Sequence, residues 1–445
     1  MKAGTARGGQ TPPMLSRSSP CPDTHRPGHA GGAGRAHAAP PAGIVREAAS
    51  PHRVGYATGA LSLALVAAWW PAALGGLSAA GDPPGWAVAP PRAHALAMVF
   101  SFAPMFFAGF LFRAGLRWLG LPPATARELL PSAVGWLAGW PLFLVGVHTD
   151  ARLAAAGLGI ATVAWARVAL RFALRFRTAR GDDRFHPGVM ALAAIAGALA
   201  MALATVGVAL GEDGLERIAI AAGTWLFVAP VFMTALHRMV SALGASVPLL
   251  DRIHPAALPF LWLLVLALQP VHEIAPSLTP FVSALDAVTA FAAAVIAVRW
   301  FAMDGQRSPL LRMLLAGFAW LGVALATRAA SLWPGLDATV TVSLRVASAH
   351  ALGTGFFGTV MMAFVTRTAA GWNGRARSID GIAWTLFLTL QAAVVLRLAA
   401  AAWMSALQTV AAAIWSATML AWACRLLRWL ASPPPRPRDS RPLPP

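Results

Sequence analysis

Apolar runs of about 20 residues, separated by short polar stretches, recur between residues 53 and 430. A helix of about that length crosses the hydrocarbon core of a bilayer. Twelve spans are predicted, near 55–77, 93–113, 129–148, 152–173, 187–210, 215–237, 254–271, 278–300, 309–331, 340–366, 379–401 and 403–427. The chain therefore reads as an all-α polytopic membrane protein, with residues 53–430 forming one transmembrane domain. Residues 1–52 are rich in Gly, Pro, Ala, Arg and His and contain no long apolar run. They read as a disordered basic tail rather than a secretory signal, with Met14 as an alternative start. Residues 431–445 form a second, Pro/Arg-rich tail.

The composition agrees, at 58% hydrophobic and 12% charged residues. The formal charge of +18 changes the picture only through its placement. Of the 35 Lys and Arg residues, all but Arg92, Arg152, Arg217, Arg328, Arg345 and Arg397 fall in the tails or in alternate loops on one side. That asymmetry predicts both termini in the cytoplasm, and it explains the basic charge without a nucleic-acid partner. The outer loops are short and acidic where charged, as at Glu212, Asp213, Glu216 and Glu273. Tyr56 is the sole tyrosine beside 18 tryptophans, so the interfacial aromatic belt is mostly Trp. Cys21 and Cys424 offer neither a disulfide nor a CxxC metal signature.

The second and tenth spans look like copies of one another. His94-Ala95-Leu96 is followed by Phe110, Arg113, Trp118 and Gly120, and His350-Ala351-Leu352 by Phe364, Arg367, Trp372 and Gly374. The separation from histidine to arginine differs by two residues between the copies. At 1.5 Å rise per residue, the two imidazoles differ in depth by about 3 Å. Ionisable groups at membrane depth are costly unless they work. Parallel helices carrying two such rings could supply both axial ligands of a haem, share a metal ion, or simply hydrogen-bond neighbouring helices.

Other polar groups are candidates of the same kind. His148 and His272 lie toward the outer side, whereas His237 and His254 lie near inner span ends, and His186 is interfacial. His25, His29, His37 and His52 are assigned to the solvated tail. Met98 lies one helical turn from His94 on the same face, where a thioether suits copper(I). Arg328 and Arg345 could pair with haem propionates or snorkel to the interface. Asp286, Gln269 and Gln391 lie within apolar runs, and Pro230 is expected to kink a helix lining a cavity. Gly353, Gly355 and Gly358 sit inside a span, where small residues admit a neighbouring helix or a flat macrocycle and not a nucleotide.

These motifs resemble the NnrS family of polytopic bacterial membrane proteins. The resemblance rests on Ala108-Gly109-Phe110-Leu111-Phe112-Arg113-Ala114 with Trp118, Gly120, Pro122 and Pro123 after His94. It rests also on Arg299-Trp300, Arg307-Ser308-Pro309-Leu310-Leu311 and Gly317-Phe318-Ala319-Trp320. The late His350-Ala351-Leu352 stretch, with Arg367 and Gly371-Trp372-Asn373-Gly374-Arg375, completes it, and the similarity covers about residues 53–427. The resemblance implies bound haem and copper and a role in nitric oxide response or nitrosative-stress tolerance. It carries ligand roles over to His94 and His350 alone. Two family histidines are replaced: Leu96 and Ala97 stand where members carry the rest of a His-x-His-Glu, and Trp372 stands for the histidine of Gly-His-x-Gly-Arg. Haem alone, or recruitment of His148, His237 or His272, would accommodate that loss.

The leading expectation is thus a haem-binding membrane protein of this type, with noncovalent b-type haem because no CxxCH is present, and with copper as a second metal. Nitric oxide is the expected small-molecule partner and the bilayer the expected surroundings. No motif shows catalytic turnover. A twelve-helix secondary transporter is the alternative, since transporters often contain internal repeats. A terminal oxidase or nitric oxide reductase subunit ranks lower, because no span carries a close pair of histidines.

Overall fold

A helix in lipid satisfies its own backbone and can expose apolar side chains on its outer face. The computed structural model describes residues 50–79, 85–179, 181, 184–242, 257–304, 308–372, 374–375, 377–402 and 406–432, and is built from such helices. In chain order they are α1 (Pro51–Gly75), α2 (Pro90–Trp118), α3 (Ala126–Thr149), α4 (Ala151–Thr178), α5 (Phe185–Leu210) and α6 (Asp213–Val240). There follow α7 (Phe260–Ile274), α8 (Pro276–Met303), α9 (Pro309–Ser331), α10 (Ala338–Trp372), α11 (Gly381–Ala402) and α12 (Leu407–Ala431). All but the shorter α7 are long and apolar enough to cross a membrane. They match the twelve apolar runs one for one, and there is no strand among the described residues. The described residues belong to one compact unit, residues 43–445; a separate unit, residues 1–42, lies outside them. His25, His29, His37, Cys21 and His254 also lie outside the described residues.

His52 differs from its assignment to the tail. Helix α1 begins at Pro51, and the His52 ring is 1% exposed against the Trp372 ring at 4.6 Å. Its Nδ1 lies 2.6 Å from Arg113. The histidine is held because the helix start carries it under two aromatic and cationic neighbours that only the fold supplies.

Large side chains face outward and small ones inward. On α5, Leu192, Leu199 and Leu210 are 70%, 67% and 67% exposed, while Ala194, Gly197, Ala204 and Gly207 are buried. Lipid is as apolar as leucine, so helix association there depends on close contact between small residues. In the α3–α4 hairpin a Cβ on Gly139 would lie 2.6 Å from the Gly157 carbonyl oxygen. Successive hairpins α3–α4, α4–α5, α8–α9 and α11–α12 pack side by side, and α12 returns to pack on α1.

Helices α2, α6 and α10 depart from regular α-geometry. Each contains a π-helical segment, at Leu111–Gly115, Gly223–Val228 and Ala351–Gly358 respectively. Proline at 230 has no N–H to give to the turn before it, and the widened turn of α6 ends just ahead of it. Helix α2 also breaks at Ser101–Phe102, just before Pro104, and the freed Ser101 carbonyl accepts the Trp136 indole N–H at 2.7 Å. The repeated Trp-x-Gly marks a matched helix stop: Gly120 and Gly374 have φ of 69° and 68°. Leu121 N–H bonds the Leu116 carbonyl and Arg375 N–H the Ala370 carbonyl, each at 2.9 Å, as a left-handed glycine cap allows.

Gly139→Ala should therefore lower stability by about 1–3 kcal/mol, since backbone must move to admit the methyl group. Gly214→Ala, with open space around its position, should leave it unchanged. Thermal unfolding of the two variants in detergent checks this, and equal midpoints would disprove it.

Candidate functional site

The parallel course of α2 and α10 brings matched residues face to face at both ends. The His94 and His350 rings lie 6.2 Å apart between centroids with an 18° interplanar angle, and the Phe110 and Phe364 rings lie 4.7 Å apart. The equal depth expected from the repeat is thus realised as a contact. Beneath this contact, Arg113 sits over the Trp372 ring at 5.0 Å and Arg238 over the Trp118 ring at 4.0 Å.

The two imidazoles are held differently. His350 Nδ1 lies 2.8 Å from the Val346 carbonyl oxygen. A carbonyl only accepts, so Nδ1 carries the proton and Nε2 keeps the free electron pair. The His94 ring stacks on Trp70 of α1 at 3.9 Å and 29°, and its buried Nδ1 has no hydrogen-bond partner.

Both rings line a cavity of about 610 Å³ between α1, α2, α6, α10, α11 and α12. The wall is mostly apolar. It includes the α2 break at Phe102 and the widened turns of α6 and α10 at Thr224, Gly353 and Gly358. A Cβ on Gly353 would meet nothing within 4 Å, so that wall is bare toward the cavity. By contrast, Gly355 admits the Trp320 ring, which would lie 2.7 Å from an added Cβ. The π segments of α6 and α10 run along the cavity, and a widened turn displaces backbone locally.

Met98 and Arg345 also line this cavity, but the other candidates are engaged elsewhere. Arg328 forms an ion pair with Asp286 at 2.6 Å, and its guanidinium also donates to the Gln269 carbonyl at 2.9 Å. Gln269 donates to Asp286 at 2.6 Å, His272 Nδ1 lies 3.1 Å from Arg328, and Trp225 lies beneath the guanidinium at 5.3 Å. This closed knot joins α6, α7, α8 and α9 and leaves Arg328 off the cavity wall. His148 Nε2 accepts the Trp69 indole N–H at 2.9 Å, and its ring packs against Trp86 at 4.2 Å. His237 pairs with His186, with ring nitrogens 3.3 Å apart. It lies beyond Phe232 on α6 and does not itself line the cavity. Among the described residues, no group of three or more His, Cys, Asp or Glu could hold a metal ion.

Trp70 and Arg397 are among the lining residues without an earlier assignment to the site. An arginine inside an apolar run was itself a signal for Arg397. Nothing in the order of residues ties Trp70 to His94, because the contact crosses from α1 to α2.

The model of one protein family, described as NnrS protein, matches residues 48–434, nearly the whole described chain. No curated protein matches it.

Removing one partner of a buried ion pair strands the other charge. Asp286→Ala should therefore cost about 3–5 kcal/mol of stability. Combining it with Arg328→Leu should recover much of that loss, because both charges are then gone. A double-mutant cycle by thermal unfolding tests the coupling; additive losses would show that the pair contributes nothing.

Proposed function

Because the chain belongs to the NnrS family, we propose that it is a haem-binding protein of the bacterial inner membrane that acts in nitric oxide response or nitrosative-stress tolerance. The observation that carries this reading is the meeting of His94 and His350 across a cavity of about 610 Å³. Metal–imidazole bonds are about 2 Å long, so one ion between two rings holds their centres about 6 Å apart. The centroid separation of 6.2 Å suits that requirement. The cavity volume is that of a small-molecule or cofactor site, and the bare wall at Gly353 suits a flat macrocycle. The unpartnered buried Nδ1 of His94 further fits a ring whose other nitrogen is the one in use.

The residues divide the work unequally. His350 is anchored through Val346, which fixes its tautomer and aims Nε2 as a permanent donor. His94 has only ring stacking on Trp70 to hold it. It would be the less firmly held of the two imidazoles. Bound haem supplies the iron at which nitric oxide coordinates. The apolar wall keeps water and acid away from that position. The arginine-rich end of the bundle, with Arg113 and Arg238 over tryptophan rings, faces the cytoplasm in this reading.

A second reading rests on the three thioethers in the lining, Met98, Met361 and Met419. Soft sulfur beside two imidazoles suits copper(I), which would then occupy the place between the rings instead of haem.

Purified protein should show a Soret band that shifts on adding nitric oxide. His350→Ala should lower retained haem by at least about tenfold. His94→Ala should keep haem but change its spectrum and its nitric oxide response. Metal analysis of the same samples separates iron from copper. A colourless, metal-free wild type that moves solute in liposomes would overturn the proposal in favour of the transporter.

A further inference from the structure

The lining of the α2–α10 cavity includes two guanidinium groups, Arg345 of α10 and Arg397 of α11, and no Asp or Glu. Among the described residues neither arginine makes a hydrogen bond, an ion pair or a stacking contact with an aromatic ring. Arg345 is exposed and Arg397 part-buried, and two other arginines at this end of the bundle have found partners. Arg328 has Asp286, and Arg92 pairs with Asp213 and Glu216. A guanidinium removed from water without an anion is costly, because its charge loses hydration and gains nothing in return. Arg397 is part-buried inside a membrane span and lines the same cavity as His94 and His350. With two imidazoles and two cations in one apolar chamber, the missing component is negative charge.

We propose that Arg397, together with Arg345, is the carboxylate-gripping end of this cavity, so that its occupant is a flat amphipathic molecule bearing acid groups on one edge. This rests on the haem reading, in which those groups are the two propionates. Arginine suits the task because its planar fork matches a carboxylate with two parallel hydrogen bonds. The arrangement also orients the occupant. Its apolar body lies along the glycine-bare wall of α10, its centre between the histidines, and its acid edge toward α11. Arg328, which the sequence offers equally as a carboxylate partner, is unavailable because Asp286 already occupies it.

The test separates the acid groups from the iron. The full-length protein in detergent is titrated with metal-free protoporphyrin IX and with its dimethyl ester, following quenching of tryptophan fluorescence. Trp70 and Trp415 line the cavity and report on it directly. Haem itself is titrated in parallel by absorbance. Wild type should bind the diacid at least about tenfold more tightly than the diester. Arg397→Gln and Arg345→Gln should each remove most of that preference, and Arg397→Lys should restore part of it. His350→Ala should weaken haem binding but preserve the preference for the diacid, and His94→Ala should preserve that preference too. Equal affinity of wild type for diacid and diester would overturn the inference while haem binding leaves the function intact, and this comparison needs no variant to fold. An unchanged preference in both glutamine variants would overturn it too. If neither haem nor porphyrin binds, the haem reading fails and this inference falls with it.

Discussion

A backbone in lipid has no water to turn to, so irregular helix is tolerated only where protein or a cavity surrounds it. That constraint organises this molecule. The outer helices α3, α4 and α5 are uninterrupted and present leucines and valines outward. The irregular segments described above fall in α2, α6 and α10, the helices that border the cavity. Phe102 at the α2 break and the π segments of α6 and α10 line the cavity, whereas the α2 π segment Leu111–Gly115 does not. The Trp136 indole serves the Ser101 carbonyl, and the Thr234 hydroxyl donates to the Pro230 carbonyl at 2.6 Å.

The same rule sorts the buried polar side chains into separate groups. One is the Arg328–Asp286–Gln269 knot, where charge and hydrogen bonds close on themselves and hold four helices. Another lies at the arginine-rich end, where Ser50, His52 and Arg113 meet beside Trp372, and the Tyr56 hydroxyl lies 2.9 Å from that of Thr368. The group in the cavity differs in kind. Among the described residues its cations have no acid partner, and the Nδ1 of His94 has no hydrogen-bond partner. Satisfied networks stabilise a fold, whereas unsatisfied ones facing a cavity mark where a ligand belongs.

The repeat between α2 and α10 gives this cavity its symmetry. Matched residues meet each other, His94 with His350 and Phe110 with Phe364, as contacts do across a two-fold axis. The helices run in the same direction, so that axis lies along the bundle, as in parallel repeats of membrane proteins. The repeat brings the two imidazoles together at the cavity. The surroundings then break the symmetry, because His350 gains the Val346 carbonyl while His94 gains the Trp70 ring. Two nearly equivalent positions thereby acquire unequal hold on their side chains.

Along each helix axis, the sequence alone was decisive. Hydropathy marked twelve runs that the helices match, eleven of them long enough to cross a membrane. The spacing from His to Arg set a common depth, although α2 and α10 run on past the predicted ends at 113 and 366 to Trp118 and Trp372. Rise per residue is a constant of the α-helix, so position along the axis can be counted off in letters. Position around the axis, and the identity of the neighbour found there, came only with tertiary packing. Arg328 and Arg397 look alike as lone cations in apolar runs, yet one meets Asp286 and the other faces the cavity. His148 and His94 are both outer-side histidines, yet one is tied to Trp69 and the other opposes His350. Even His52 left the tail for a buried seat under Trp372, across more than 300 residues of chain. An apolar helix exposes no single polar stripe to announce its orientation, so its rotation is decided by which small residues let which neighbours approach.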